Sequence, residues 1–146
     1  MDIRFLMGYC LILLYISCEK NTQNNSDNPC MLDKQINTSF NLNFPSYADL
    51  QFAGNELIIR DDINFIEGVY LKNNGGSFLA LELDEPNDCL NTCDFISFSE
   101  GFFHYHCEDK ETKYTILGTK VDLKESEFNM RIYNVQRVGD VLYVRY

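Results

Sequence analysis

The residues that could do chemistry crowd into one stretch, Glu85 to Gly118. It holds Glu85-Pro86-Asn87-Asp88-Cys89, then Cys93, then Cys107-Glu108-Asp109-Lys110, together with both histidines of the chain, His104 and His106. Thiolates and imidazoles are the ligands that zinc, copper and iron–sulfur clusters take. Two cysteine-bearing loops around a short hairpin have the outline of such a site. One candidate metal set is His104, His106 and Cys107. Residues two apart on a strand share a face, so the histidines would lie together while Cys107 turns to the other side of a regular strand. Their spacing fits no zinc pattern. His104, Tyr105 and His106 could equally be a strand showing alternate aromatics to core and solvent. The acidic pairs Asp61-Asp62 and Glu108-Asp109 could serve catalysis or calcium. They stand beside turns, outside any Asp-x-Asp-x-Asp-Gly loop, and read as solvated charge. The chain holds no Gly-x-Ser-x-Gly, His-Glu-x-x-His or phosphate-loop motif, so no catalytic residue is assigned and the reading is of a non-enzyme.

What those cysteines do depends on where the chain resides. Its 146 residues are 45% hydrophobic, with 9 Tyr and 11 Phe, enough for one domain with a core plus extras. The formal net charge of −10 gains nothing from counterion release at phosphates, which argues against nucleic acid as a partner. Behind Arg4, Phe5 to Ile16 is an apolar run. It is shorter than the about 20 residues a membrane-spanning helix needs, and it fits a secretory signal. Tyr15-Ile16-Ser17-Cys18 resembles a bacterial lipobox, which implies a signal peptide over 1–17 and lipidation of Cys18 as the first mature residue. Tyr15 and Ile16 depart from the usual Leu-(Ala/Ser). Residues 18–29 are polar and read as a flexible tether, and the folded domain is expected over 30–146. Cys10 leaves with the signal and Cys18 takes lipid. Cys30, Cys89, Cys93 and Cys107 then remain in an exported, oxidising setting that favours two disulfides, with three pairings open.

The elements that must position these residues are short strands. Ile36, Thr38, Phe40, Leu42 and Phe44 alternate with polar residues and predict a half-wet strand up to Pro45. Leu57 to Ile59 predicts a buried strand. Gly68–Lys72 and Ser77–Leu81 flank Asn73-Asn74-Gly75-Gly76, a hairpin turn. Phe95–Phe98 and Phe102–Tyr105 flank Ser99-Glu100-Gly101, a second hairpin. Lys113–Leu117 predicts one more strand, residues 119–128 a crossing loop, and Ile132–Arg137 with Val141–Tyr146 a closing hairpin around Gly139. No long segment carries a helical period. The class is all-β, a small sandwich or barrel.

This order of parts, from Phe40 to Tyr146, resembles the Rieske iron–sulfur fold, and in particular Rieske-like lipoproteins of bacterial envelopes. Ser77-Phe78-Leu79-Ala80-Leu81-Glu82 is similar to the strand leading into the family's first ligand loop. Cys107 to Tyr114, followed by Gly118, stands where the second loop does. Met130, Tyr133, Val135, Gly139, Leu142 and Val144 follow the family's C-terminal run. The resemblance implies a Rieske-like sandwich with a loop-and-hairpin subdomain. Carried over, its four ligand positions are Glu85, Asn87, Cys107 and Lys110. A Rieske centre takes two Cys on one iron and two His on the other, and only Cys107 keeps a ligand type, so the expectation is no cluster. Some Rieske proteins join the two loops by a disulfide, which implies Cys93–Cys107 and leaves Cys30 with Cys89. Cys89–Cys107 is the alternative first bridge.

The expected function is therefore a membrane-anchored envelope lipoprotein, binding or structural, with a cluster-free β domain, no cofactor, and an envelope protein as its partner. The alternative is an electron-transfer protein whose [2Fe–2S] or other metal centre uses atypical ligands.

Overall fold

The computed structural model describes residues 28–30, 35–60, 62–65, 67–89, 93 and 95–146. The signal expected at 1–17, the lipidation expected at Cys18, most of the expected tether, and Asp61 lie outside them. Among the described residues there are nine strands and no α-helix, only a 3-10 turn at Ala48–Gln51. The all-β class follows. No helix among them is long and apolar enough to cross a membrane.

Three small antiparallel sheets are formed among the described residues. The first joins β1 (Asn37–Asn41), β9 (Val141–Arg145) and β8 (Asn134–Val138), in the order β1-β9-β8. The second is β2 (Glu56–Ile59), β3 (Val69–Asn73) and β4 (Phe78–Glu82) in sequence order. The third is β5 (Ser97–Ser99), β6 (Phe102–Cys107) and β7 (Lys110–Thr115), again in sequence order, and it is inserted between β4 and β8. The first two sheets meet where Leu81 bridges Ile132, with Glu82 N donating to Arg131 O and Tyr133 N donating to Ala80 O.

The second sheet is the middle layer. Val69, Leu71 and Ala80 belong to a core shared with Phe40, Leu142 and Val144 of the first sheet and with Leu42 just after β1. Tyr70, Leu81 and Leu83 belong to a second core with Ile96, Phe103, Tyr105, Tyr114 and Met130 around the third sheet. Successive strand residues point to opposite faces, so a strand covered on both sides is apolar at consecutive positions. Val69-Tyr70-Leu71 and Leu79-Ala80-Leu81 have that pattern.

Several boundaries differ from the sequence reading. The alternation from Ile36 holds through Leu42, but the strand ends at Asn41, whose side chain accepts from Asn43 N at 2.9 Å and whose carbonyl accepts from Phe44 N at 3.0 Å. This local turn sends Phe44 into solvent. β7 starts at Lys110, not Lys113, and ends at Thr115. Cys107 pairs directly with Lys110, so Glu108 and Asp109 form a two-residue hairpin with Glu108 left-handed at φ 54°. Cross-strand hydrogen bonds, not apolar periodicity, hold the polar stretch 110–113 in the strand. β5 covers only Ser97–Ser99, with Ile96 buried ahead of it and Phe95 exposed. Asn28, expected in the tether, is buried, and its Nδ2 donates to Pro86 O at 2.7 Å.

Candidate functional site

The loop after β4 carries Asp84 to Cys89 under the third sheet. Chain reversal at Pro86 and Asn87 turns Glu85 inward, where it is 5% exposed. Tyr114 of β7 donates its hydroxyl to Glu85 Oε1 at 2.5 Å. Asn87 donates from its backbone N and from Nδ2 to the same oxygen, each at 3.2 Å. Asn87 Nδ2 also reaches Tyr114 Oη and Phe128 O, each at 3.0 Å, and Phe128 N donates to Asn87 Oδ1 at 2.7 Å. Glu85 and Asn87 thus fasten the loop to β7 and to the 119–128 crossing. Burial pushes the Glu85 carboxyl above its usual range, against the hydrogen bonds from Tyr114 and Asn87 and the charge of Lys120. Burial and the neighbouring Glu85 push the Tyr114 phenol up.

The four cysteines stand in two bonded pairs, Cys30–Cys89 and Cys93–Cys107, with Cα atoms 4.2 and 5.0 Å apart. These are the pairs the resemblance implied. The first clips the N-terminal segment to the Glu85 loop. The second joins the segment after that loop to the end of β6. Next to it, Tyr105 Oη donates to Asp88 Oδ2 at 2.5 Å. Burial and that carboxylate raise the Tyr105 phenol.

The positions carried over from the resemblance therefore fall into two groups. Glu85 and Asn87 are hydrogen-bonded to each other. Cys107 and Lys110 face each other across the β6–β7 turn, with Cys107 in its disulfide and Lys110 exposed. They do not fit a [2Fe–2S] cluster. An ammonium offers no lone pair, a bridged sulfur is no thiolate, and Asn87 is engaged with Phe128 and Tyr114.

Nor are His104, His106 and Cys107 one set. Glu111 Oε1 is 2.8 Å from His104 Nδ1 and 3.5 Å from His106 Nε2, and the two rings lie parallel with centroids 6.4 Å apart. The His104 hydrogen bond holds the Glu111 carboxyl below its usual range. The reason is register: the tight turn sets His106 opposite Glu111, while Cys107 bonds to Cys93. Glu111 was not foreseen, and reading Glu108-Asp109 as a two-residue turn would have found it.

A second buried charged group also escaped the sequence. Glu82, Asp84 and Arg131 are each under 10% exposed, and Arg131 Nη1 lies 3.3 Å from Glu82 Oε2. Burial and the nearby Asp84 charge outweigh Arg131 and push the Glu82 carboxyl up to about 7. Asp84 Oδ1 accepts from Glu67 N at 2.9 Å. Burial, then Asp84, raises the Glu67 carboxyl as well. The signal was present: Glu82 ends a strand whose consecutive apolar residues mark it as covered on both faces.

Away from these groups, Lys110, Lys113, Lys120 and Lys124 line an open groove with Glu111, Asp122 and Glu127. Lys120 pairs with Glu127 at 2.8 Å and Lys113 with Glu111 at 3.4 Å, so the groove carries mixed charge. No family model matches the chain, and neither a curated protein nor a solved structure does.

Proposed function

We propose that this chain is a lipid-anchored bacterial envelope protein whose domain, from about residue 30 to Tyr146, keeps a Rieske-like frame without the cluster and serves as a binding or structural module, not a catalyst. The observation that carries this reading is the Glu85 network. Where the resemblance puts ligands, Glu85 and Asn87 are spent on holding the loop to Tyr114 and Phe128, and Cys107 is spent on a bridge. The inserted third sheet, which carries the Cys107 turn beside the Glu85 loop, supports the frame. The acidic charge keeps such a module soluble at the membrane surface.

Anaerobic reconstitution of the purified chain with iron and sulfide tests the cluster-free reading. The expected outcome is no Rieske-type EPR signal and no visible absorption beyond free iron sulfide. A Rieske signal would sink it and favour the electron-transfer alternative. The anchor is tested separately by Cys18→Ser. Mass spectrometry of the chain extracted from membranes is the readout: the wild type is expected to begin at an acylated Cys18, and Cys18→Ser to lack the acyl mass and keep residues 1–17. A wild-type chain with an unmodified Cys18 refutes lipidation there.

A further inference from the structure

Asp88, Cys93 and Cys107 are partly buried and offer one carboxylate oxygen and two sulfurs, all within 4.8 Å of one another. Two atoms that bind one zinc-like ion at about 2.0–2.3 Å stand at most about 4.6 Å apart. The three groups therefore need only side-chain adjustment, not backbone rearrangement, to share an ion. We propose that the Cys93–Cys107 pair is a redox-gated metal site: oxidised, it is a bridge; reduced, it binds one thiophilic divalent cation of the zinc class together with Asp88.

The surroundings suit a cation. Cys93 and Tyr105 line a crevice of about 10 Å³, room for one water-sized group, together with Glu67 and Glu85. Glu85 Oε2 and Glu67 Oε2 are buried there with no hydrogen-bond partner among the described residues. Their carboxyl groups become better satisfied when a positive charge arrives nearby. Tyr105 donates to one Asp88 oxygen and fixes the carboxylate's orientation, as hydrogen-bonded partners of metal ligands do. Two sulfurs and one oxygen select a soft or borderline ion over magnesium or calcium.

The chemistry balances with one co-reactant, a dithiol. One of its thiolates attacks a sulfur of the Cys93–Cys107 bond, and its second thiol then closes the dithiol's own disulfide. Two electrons and two protons pass to Cys93 and Cys107, which become thiols. On binding the ion, each thiol releases its proton to solvent, and the sulfurs move apart to about 3.8 Å, the edge of a tetrahedron with Zn–S bonds of about 2.3 Å. Cys30–Cys89 has no ligand set of this kind among the described residues. The inference does not depend on the Rieske-like reading, which concerns Glu85, Asn87 and Lys110.

Cobalt(II), which reports thiolate ligation by charge-transfer absorption, is the probe. The full chain is titrated with cobalt(II) before and after reduction by a phosphine, with zinc displacing it at the end. The expected result is no band when oxidised, and a thiolate–cobalt band saturating at one equivalent when reduced and abolished by zinc. Cys30→Ser/Cys89→Ser should retain the band, Cys93→Ser/Cys107→Ser should lose it, and Asp88→Asn should weaken cobalt binding at least tenfold. Circular dichroism accompanies each sample. A reduced wild-type chain without the band, or one that has lost its fold, overturns the proposal. So does a band that follows Cys30 and Cys89, or one indifferent to Asp88→Asn in a folded variant.

Discussion

At the scale of single residues, buried acids govern how this protein responds to pH. Glu82 starts from 4.5 and is pushed up to about 7 when folded. Between those values the folded chain holds a proton that the unfolded chain has released. Rising pH therefore favours unfolding across that window. The stability is fully present below about pH 4.5 and is lost as pH rises through 7, by on the order of 3 kcal/mol if Glu82 acts alone. Glu85 and Glu67, both raised by burial, act with the same sign. Urea unfolding at intervals from pH 4.5 to 7.5 should show the midpoint falling, and Glu82→Gln should flatten the slope. A midpoint that rises over this range contradicts the assignment. Part of this was legible in the sequence: Glu85 and Asn87 stood out as positions of interest, and the cysteines as bridges. Tyr114 lies 29 residues from Glu85 and Phe128 lies 41 from Asn87, and nothing in the local pattern joins them.

Among the elements, the strands that sequence placed well are those with a period of two or a glycine turn: β3 and β4 around Gly75-Gly76, and β8 and β9 around Gly139. β7 was cut short because its first half is polar and is held by pairing with β6, an interaction between segments that periodicity does not report. Gly118 shows how tightly the end of that element is seated. It sits at φ 77°, a conformation that favours glycine, and a Cβ there would come within 2.9 Å of Leu81 Cδ2 and 3.1 Å of Met130 Cβ. Both neighbours belong to the second core. Gly118→Ala would combine left-handed strain with overpacking, and the expected loss is about 2–4 kcal/mol. Gly101→Ala is the matched control: its φ is 82° but nothing lies within 4 Å of an added Cβ, so it should cost only the backbone part, about 1–2 kcal/mol. Equal losses in the two variants would show that Leu81 and Met130 give way freely.

For the molecule as a whole, what sequence could not give is the layering. β1 pairs with β9 across nearly the full domain, and β4 is joined to the segment ahead of β8 by the bridge between Leu81 and Ile132 and the hydrogen bonds beside it. Such contacts depend on closure of long loops, not on any local signal. Their consequence is that two hydrophobic cores share one sheet. Leu71 packs in the core with Phe40 and Leu142, while its neighbour Tyr70 packs in the other, 4.9 Å edge-to-face from Phe103. Removing side chains from either core loosens the same strand, so the cores should not unfold separately. Leu71→Ala is expected to cost about 2–5 kcal/mol and Phe103→Ala about 3–5. Each should lower one common denaturation midpoint, seen alike by far-ultraviolet dichroism, which follows all three sheets, and by near-ultraviolet dichroism, which follows the packed tyrosines of both cores. If Phe103→Ala split each of these transitions into two steps, the third sheet would be an independent unit. The middle sheet would then be a support for it and not a shared wall.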